Sequence, residues 1–162
     1  MSFVAIALVV GVAGAVAGSV FGNARGATHR VLPTLIGIWA AAVTTLTFAT
    51  RPGGGETVNL TLLNVGNRAD VVDFLLNTAM FAPGGILLAC LTVRWYQAAC
   101  VGFLGSLTIE VTQYLTESGR TADINDLVSN TLGILVGFAC AAGVKRTLAP
   151  ADPPEHRYVT AH

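Results

Sequence analysis

Charge is what this sequence has least of. Asp, Glu, Lys and Arg make up 11% of its 162 residues, against 53% hydrophobic residues. A soluble domain carries about 25% charged residues, so the composition excludes a water-soluble globule and indicates an integral membrane protein. Nine basic and nine acidic residues cancel to a formal net charge of zero. That balance lacks the basic footprint of a nucleic-acid binder, and no nucleic-acid partner is expected. Cysteine is also scarce. Cys90, Cys100 and Cys140 lie in apolar runs without a CxxC pair, and read as small buried hydrophobes. His29, His156 and His162 lie outside the apolar runs and show no metal-ligand spacing. No cofactor is expected from this inventory.

Long apolar runs are abundant. A membrane span needs roughly 20 mainly apolar residues, and five runs qualify: about 3–22, 31–50, 74–93, 98–116 and 127–144. The first lacks the basic n-region of a signal peptide and is long for an h-region, so it reads as a span. The expected architecture is all-α: a polytopic membrane helix bundle of about five transmembrane helices forming one domain over 1–144. The segment 145–162, "KRTLAPADPPEHRYVTAH", is polar and proline-containing, and reads as a short mobile tail.

Basic residues give an orientation, because cytoplasmic loops are enriched in Lys and Arg. Arg25, Arg30, Arg94, Lys145, Arg146 and Arg157 fall on one side of a five-span arrangement, and Arg51, Arg68 and Arg120 on the other. The expectation is an outside N-terminus and a cytoplasmic C-terminus. Asp73 and Asn77 of the third span, Glu110 and Gln113 of the fourth, and Asp126 and Asn130 of the fifth then lie at one depth near the outer leaflet. Arg120 and Asp123 occupy the loop beside them.

Helical periodicity also puts these residues on shared faces, since positions three and four apart lie on one side of a helix. Gly102, Ser106, Glu110 and Gln113 form a stripe of small and polar residues, and Asp126, Asn130, Gly133 and Gly137 form another. Small residues let membrane helices approach closely, so both stripes are expected to face inward. In "FAPGG", Pro83 lacks an N–H and clashes with the carbonyl of residue 79, and Gly84 and Gly85 weaken the helix further. This motif reads as a kink or, more sharply, as a proline-glycine break whose freed carbonyls line a polar cavity.

Asp123 suits an N-cap of the fifth span, with Asp126 at its third position, and Asp73 suits a cap of the third span. Capping does not account for Asn77, Glu110, Gln113 or Asn130, which lie a turn or more inside their spans. A charge near the bilayer centre costs roughly 2.5–3.5 kcal/mol on insertion scales, less near the interface. Glu110 is therefore a candidate functional residue. Its rival role is a structural hydrogen bond to Asn77 or Asn130, and Arg120 is its expected charged partner.

The series Asp73, Asn77, Phe81, Pro83 and Gly84 in "DFLLNTAMFAPGG", Ser106, Glu110 and Gln113 in "SLTIEVTQ", Arg120, Asp123 and Asp126 in "RTADIND", and Asn130, Thr131, Gly133 and Gly137 in "NTLGILVG" resembles the VanZ-like family of bacterial membrane proteins. The resemblance covers about residues 58–140. The family often has an Asn-Leu-x-Pro-Phe-like segment before the third span; "VNLTLLNVG" keeps Asn59 and Leu60 without the proline. The resemblance implies a multi-pass protein of the bacterial cell membrane. It brings an association with resistance to the glycopeptide antibiotic teicoplanin.

Three functions suit the residues. A non-catalytic envelope protein would use Glu110, Gln113, Arg120, Asp123, Asp126, Asn130, Asn77 and Asp73 to bind or shield a membrane lipid or lipid-linked cell-wall precursor. A membrane hydrolase or phosphotransferase would use Glu110, Asp123 and Asp126 to hold a divalent cation, with Arg120 facing a phosphate, or Glu110 as a general base. It would lack a recognised nucleophile, since Ser106 has no evident base except Glu110. A lipid or solute transporter would rely on the broken third span and a protonatable Glu110. No inverted repeat is visible, so a transporter would need a homodimer.

Overall fold

The computed structural model describes residues 27–49, 58–91, 93–115 and 122–148. Four long helices dominate: α1 (Ala27–Ala49), α2 (Arg68–Cys90), α3 (Trp95–Leu115) and α4 (Ile124–Leu148). Each is long and apolar enough to cross a membrane. They correspond to the second to fifth expected spans. The expected span at 3–22 and Arg120 lie outside the described residues. α4 continues four residues past the expected boundary at 144, so Lys145 and Arg146 occupy its last turn.

Polarity is arranged inside out relative to a soluble bundle. Between 17% and 28% of each span is buried within the chain. Outward positions carry large apolar side chains such as Leu76, Ile86, Phe103, Leu104, Val111 and Leu132, which suit a hydrocarbon solvent. Among the described residues, the buried polar side chains are Ser106, Glu110, Gln113, Ser129 and Asn130. The same logic corrects the reading of the cysteines. Cys90, Cys100 and Cys140 are all exposed, because an apolar residue in a membrane bundle is at least as well placed against lipid as in the core.

α2 and α4 form the central pair, with α3 against α4 and α1 against α2. Two glycines set the closeness of the central pair. A Cβ at Gly133 would run into the carbonyl of Thr78, and one at Gly137 into that of Ala82. Below the polar residues the core is closed by Ile134, fully buried, with Phe81, Ala98 and Val43.

The proline-glycine motif does not break α2, which runs unbroken through Pro83 to Cys90. Neighbouring helices pack closely on this part of α2. The Trp39 indole of α1 donates a 3.0 Å hydrogen bond to the carbonyl of Met80, next to the Ala79 carbonyl whose helical donor Pro83 lacks. Trp39 also meets Phe81 edge-on, with ring centroids 5.7 Å apart. Gly84 lies against the Trp39 ring, and Gly85 lies against the α4 backbone at Ile134. The glycines serve helix packing rather than helix interruption.

The start of α2 also differs from expectation. Its N-cap is Asn67, whose side chain accepts from the N–H of Ala69 at 3.1 Å. Asn67 Nδ2 donates to Asp70 in the first turn at 2.8 Å. Asp73 is therefore more than a turn inside the helix and does not cap it. The polar first turns of α2 fall below a hydropathy threshold, although their capping chemistry favours a helix.

Two short strands complete the described structure. β1 (Val58–Asn59) precedes α2, and β2 (Ala122–Asp123) immediately precedes α4. They pair in parallel, with Val58 opposite Ala122 and Asn59 opposite Asp123. The α1–α2 and α3–α4 connections are thereby joined at one end of the bundle.

Candidate functional site

The strand pair sits over a polar seam between α2, α3 and α4. Ala98, Gly102, Ser106, Glu110 and Gln113 are the buried residues of α3, so its small and polar stripe does face inward. The buried residues of α4 are Ser129, Asn130, Gly133, Ile134 and Gly137. Side chains recurring every three to four residues thus form the seam from two facing helices.

At the strand end, Asp123 has two roles. Oδ1 accepts from the N–H of Asn125 at 2.8 Å, which caps α4 as expected. Oδ2 accepts from Asn59 Nδ2 at 2.9 Å. Asn125 Nδ2 bridges Asp123 Oδ1 and the carbonyl of Thr61 at 2.9 and 2.8 Å. Glu110 Oε2 accepts from the backbone N–H of Asp123 at 2.9 Å. This last bond secures the start of α4 to the middle of the α3 stripe.

One helical turn deeper, Asn77 Nδ2 donates to Asp126 Oδ1 at 2.6 Å. Asp126, expected at the third position of its helix, holds α2 to α4 there. Deeper still, Asn130 Nδ2 donates to Ser106 Oγ at 2.9 Å. Ser106 Oγ in turn donates to the carbonyl of Asp126 at 3.4 Å, and Ser129 Oγ reaches the same carbonyl at 3.2 Å. Asn130 Oδ1 is buried and accepts no hydrogen bond among the described residues. Gln113 is 1% exposed and adjoins Glu110 on the stripe.

The structure therefore brings Asn77, Glu110, Asp123, Asp126 and Asn130 into one connected seam. Asn77 and Asn130 are engaged with Asp126 and Ser106, so neither is the structural partner expected for Glu110. Asp73 is exposed on α2 and makes no side-chain hydrogen bond among the described residues. Asn59, Asn125, Ser106 and Ser129 belong to the network as well. Asn125 could have been found as the residue two beyond an N-cap, whereas the pairing of Asn59 with Asp123 has no local signal. Among the described residues, no three His, Cys, Asp or Glu side chains are grouped to hold a metal ion.

Beside the seam is an open depression of about 270 Å³, lined by Val58, Leu107, Glu110, Val111, Tyr114 and Ala122. It spans the α3 surface and the strand pair. Among the described residues, Glu110 is the acidic residue of its lining and is 7% exposed. The surface this depression exposes is apolar, with the Glu110 carboxylate turned into the seam behind it, which suits an acyl chain.

A family model described as VanZ/LLP1 matches residues 31–145. The match spans all but the ends of the four described helices and includes α1, where sequence reading found only hydrophobicity. With four apolar spans, it makes the chain a multi-pass membrane protein. No curated protein and no solved structure matches the chain.

Proposed function

This chain belongs to the VanZ/LLP1 family, and from that premise we propose that it binds a cell-envelope lipid or lipid-linked wall precursor without turning it over. The carrying observation is Glu110, a carboxylate 7% exposed that lines an apolar-walled depression at one end of the bundle. A buried ionisable group within a membrane span is a functional-site hypothesis by default. In the proposed orientation the strand-bearing end lies at the outer leaflet, where wall precursors are displayed. Binding there lowers sensitivity to teicoplanin by altering access to the precursor.

Ser106 favours binding over catalysis. Its hydroxyl donates to the carbonyl of Asp126 and accepts from Asn130, so it is not directed at Glu110 as a nucleophile toward its base. The continuity of α2 through Pro83 withdraws the broken helix on which a transporter reading relied.

The test is teicoplanin sensitivity in a susceptible Gram-positive host expressing wild type, Glu110→Gln or neither, with vancomycin as control and membrane abundance matched. Wild type is expected to protect and Glu110→Gln to lose protection. Equal protection by the variant sinks the seam as the site. No protection by wild type removes the antibiotic role and leaves lipid binding to be measured directly.

A further inference from the structure

We propose that the connection between β1 and α2 is an interfacial anchor, which seats Leu60, Leu62 and Val65 at the headgroup–acyl boundary of the leaflet at the strand-bearing end. The sequence sets large apolar side chains at Val58, Leu60 and Leu62, every second residue, with Val65 just beyond. All four are exposed, Leu60 by 72%, Leu62 by 71% and Val65 by 81%. Exposed apolar residues scattered singly need no explanation. Here they share one short connection outside the four long helices.

Polar groups hold this connection in place. Asn59 Nδ2 donates to Asp123 Oδ2, and Asn125 Nδ2 donates to the carbonyl of Thr61. Asn59 Oδ1 accepts from the N–H of Thr61 at 2.9 Å. Asn64 closes the far end: its Oδ1 accepts from the N–H of Gly66 at 3.0 Å, and its carbonyl from the N–H of Asn67 at 2.9 Å. The segment is thus tied to the start of α4 and to itself while its apolar side chains stay uncovered. Irregular backbone facing lipid is excluded from the hydrocarbon region, so the boundary is the depth that such a segment suits.

The depth also argues for lipid as the partner. Near one end α3 exposes Trp95 and Tyr96, and near the other Tyr114. Trp and Tyr are enriched at both membrane interfaces. Between these residues α3 rises about 27–29 Å, close to the roughly 30 Å of a hydrocarbon core. Tyr114 therefore marks one boundary. Val58 lines the same depression as Tyr114, together with Leu107 and Val111 of the lipid-facing surface of α3. β1 lies at that level, and the apolar connection continues the lipid-facing surface from it.

The experiment attaches a nitroxide to the full-length chain at Leu60→Cys, Leu62→Cys or Val65→Cys. Cys90, Cys100 and Cys140, all exposed, are replaced by alanine. In phosphatidylcholine–phosphatidylglycerol vesicles, power saturation compares access to oxygen, which concentrates in acyl chains, with access to a water-soluble nickel chelate. Labels at the exposed Arg68 and at the exposed mid-span Leu104 give the reference levels. The oxygen-to-nickel ratio at 60, 62 and 65 is expected to exceed that at 68 severalfold and to fall below that at 104. This corresponds to burial by roughly 5–10 Å, as for other interfacial segments. The three sites are read separately, so a substitution that disturbs the fold at one leaves the others to decide. A ratio equal to that at 68 overturns the proposal, since it places the segment in water. Low access to both reagents also overturns it, since it shows the segment covered by a second copy of the chain. A ratio equal to that at 104 overturns it in favour of insertion into the core.

Discussion

Asn59 and Asp123, 64 residues apart in sequence, are joined twice. They are register partners in the parallel strand pair, and Asn59 Nδ2 donates to Asp123 Oδ2 at 2.9 Å. Asp123 also caps α4, so one aspartate carries both the helix start and the union of two loops. Asn59→Ala is expected to destabilise the protein by about 1–2 kcal/mol, the range for a hydrogen bond to a charged group that is only partly buried. Thermal unfolding in detergent measures it. A change indistinguishable from zero would mean that the loop union contributes nothing to stability.

Glycines offer a comparison within one protein. Gly133→Ala and Gly137→Ala place a methyl against the carbonyls of Thr78 and Ala82. Each is expected to destabilise by about 1–3 kcal/mol or more through overpacking. Gly105 and Gly143 have nothing within 4 Å of such a methyl. Alanine there is expected to be neutral or stabilising by up to about 1 kcal/mol, from helix propensity. Equal effects at all four positions would contradict the close α2–α4 approach.

Trp39 and Pro83 are expected to act independently, because they concern different carbonyls. Trp39→Phe retains an aromatic ring against Phe81 but loses the donor to Met80, at a cost of about 1 kcal/mol. In a Pro83→Ala background the restored N–H at 83 serves the carbonyl of Ala79 and not that of Met80, so the two effects are expected to add within about 0.5 kcal/mol. A double-mutant cycle of unfolding free energies decides it. A larger coupling would show that the indole also serves the carbonyl that the proline leaves free.

Ser106 and Asn130 form a buried pair whose halves depend on each other. Ser106→Ala leaves the Asn130 amide buried without its described acceptor, an expected loss of about 1–3 kcal/mol. The double variant Ser106→Ala/Asn130→Leu removes the polar group along with its partner. It is expected to be less destabilised than Ser106→Ala alone. A double variant that is the worse of the two would assign Asn130 a further structural partner.

Much of this arrangement was readable from residue spacing. The inward stripe of α3 follows from small and polar residues recurring every three to four positions among large apolar ones, and burial of Gly102, Ser106, Glu110 and Gln113 agrees. Asp123 as a cap was legible because N-cap chemistry is local. The continuity of α2 through Pro83 was not, because the groups packed against this part of it, Trp39 and the α4 backbone, are far away in sequence. Asn59 was invisible as a partner of Asp123 for the same reason. The start of α2 was placed too late because hydropathy registers the bilayer and not the capped polar turns outside it. The exposure of the cysteines is not legible from the rule for soluble cores, which does not hold where the solvent is itself apolar.

The parallel strand pair also bears on the order in which the molecule is made. Synthesis runs from the N-terminus, so Asn59 and Asn77 enter the membrane system before Asp123 and Asp126 exist. Glu110 likewise precedes the backbone N–H of Asp123 that it accepts from. Until the last described helix emerges, β1, α2 and α3 hold their seam groups without these partners. α4 is thus the piece that completes the others: its first turn and its cap supply the partners of Asn59, Glu110 and Asn77. A nascent chain halted before residue 122 carries polar side chains in lipid with their destined acceptors and donors still unmade.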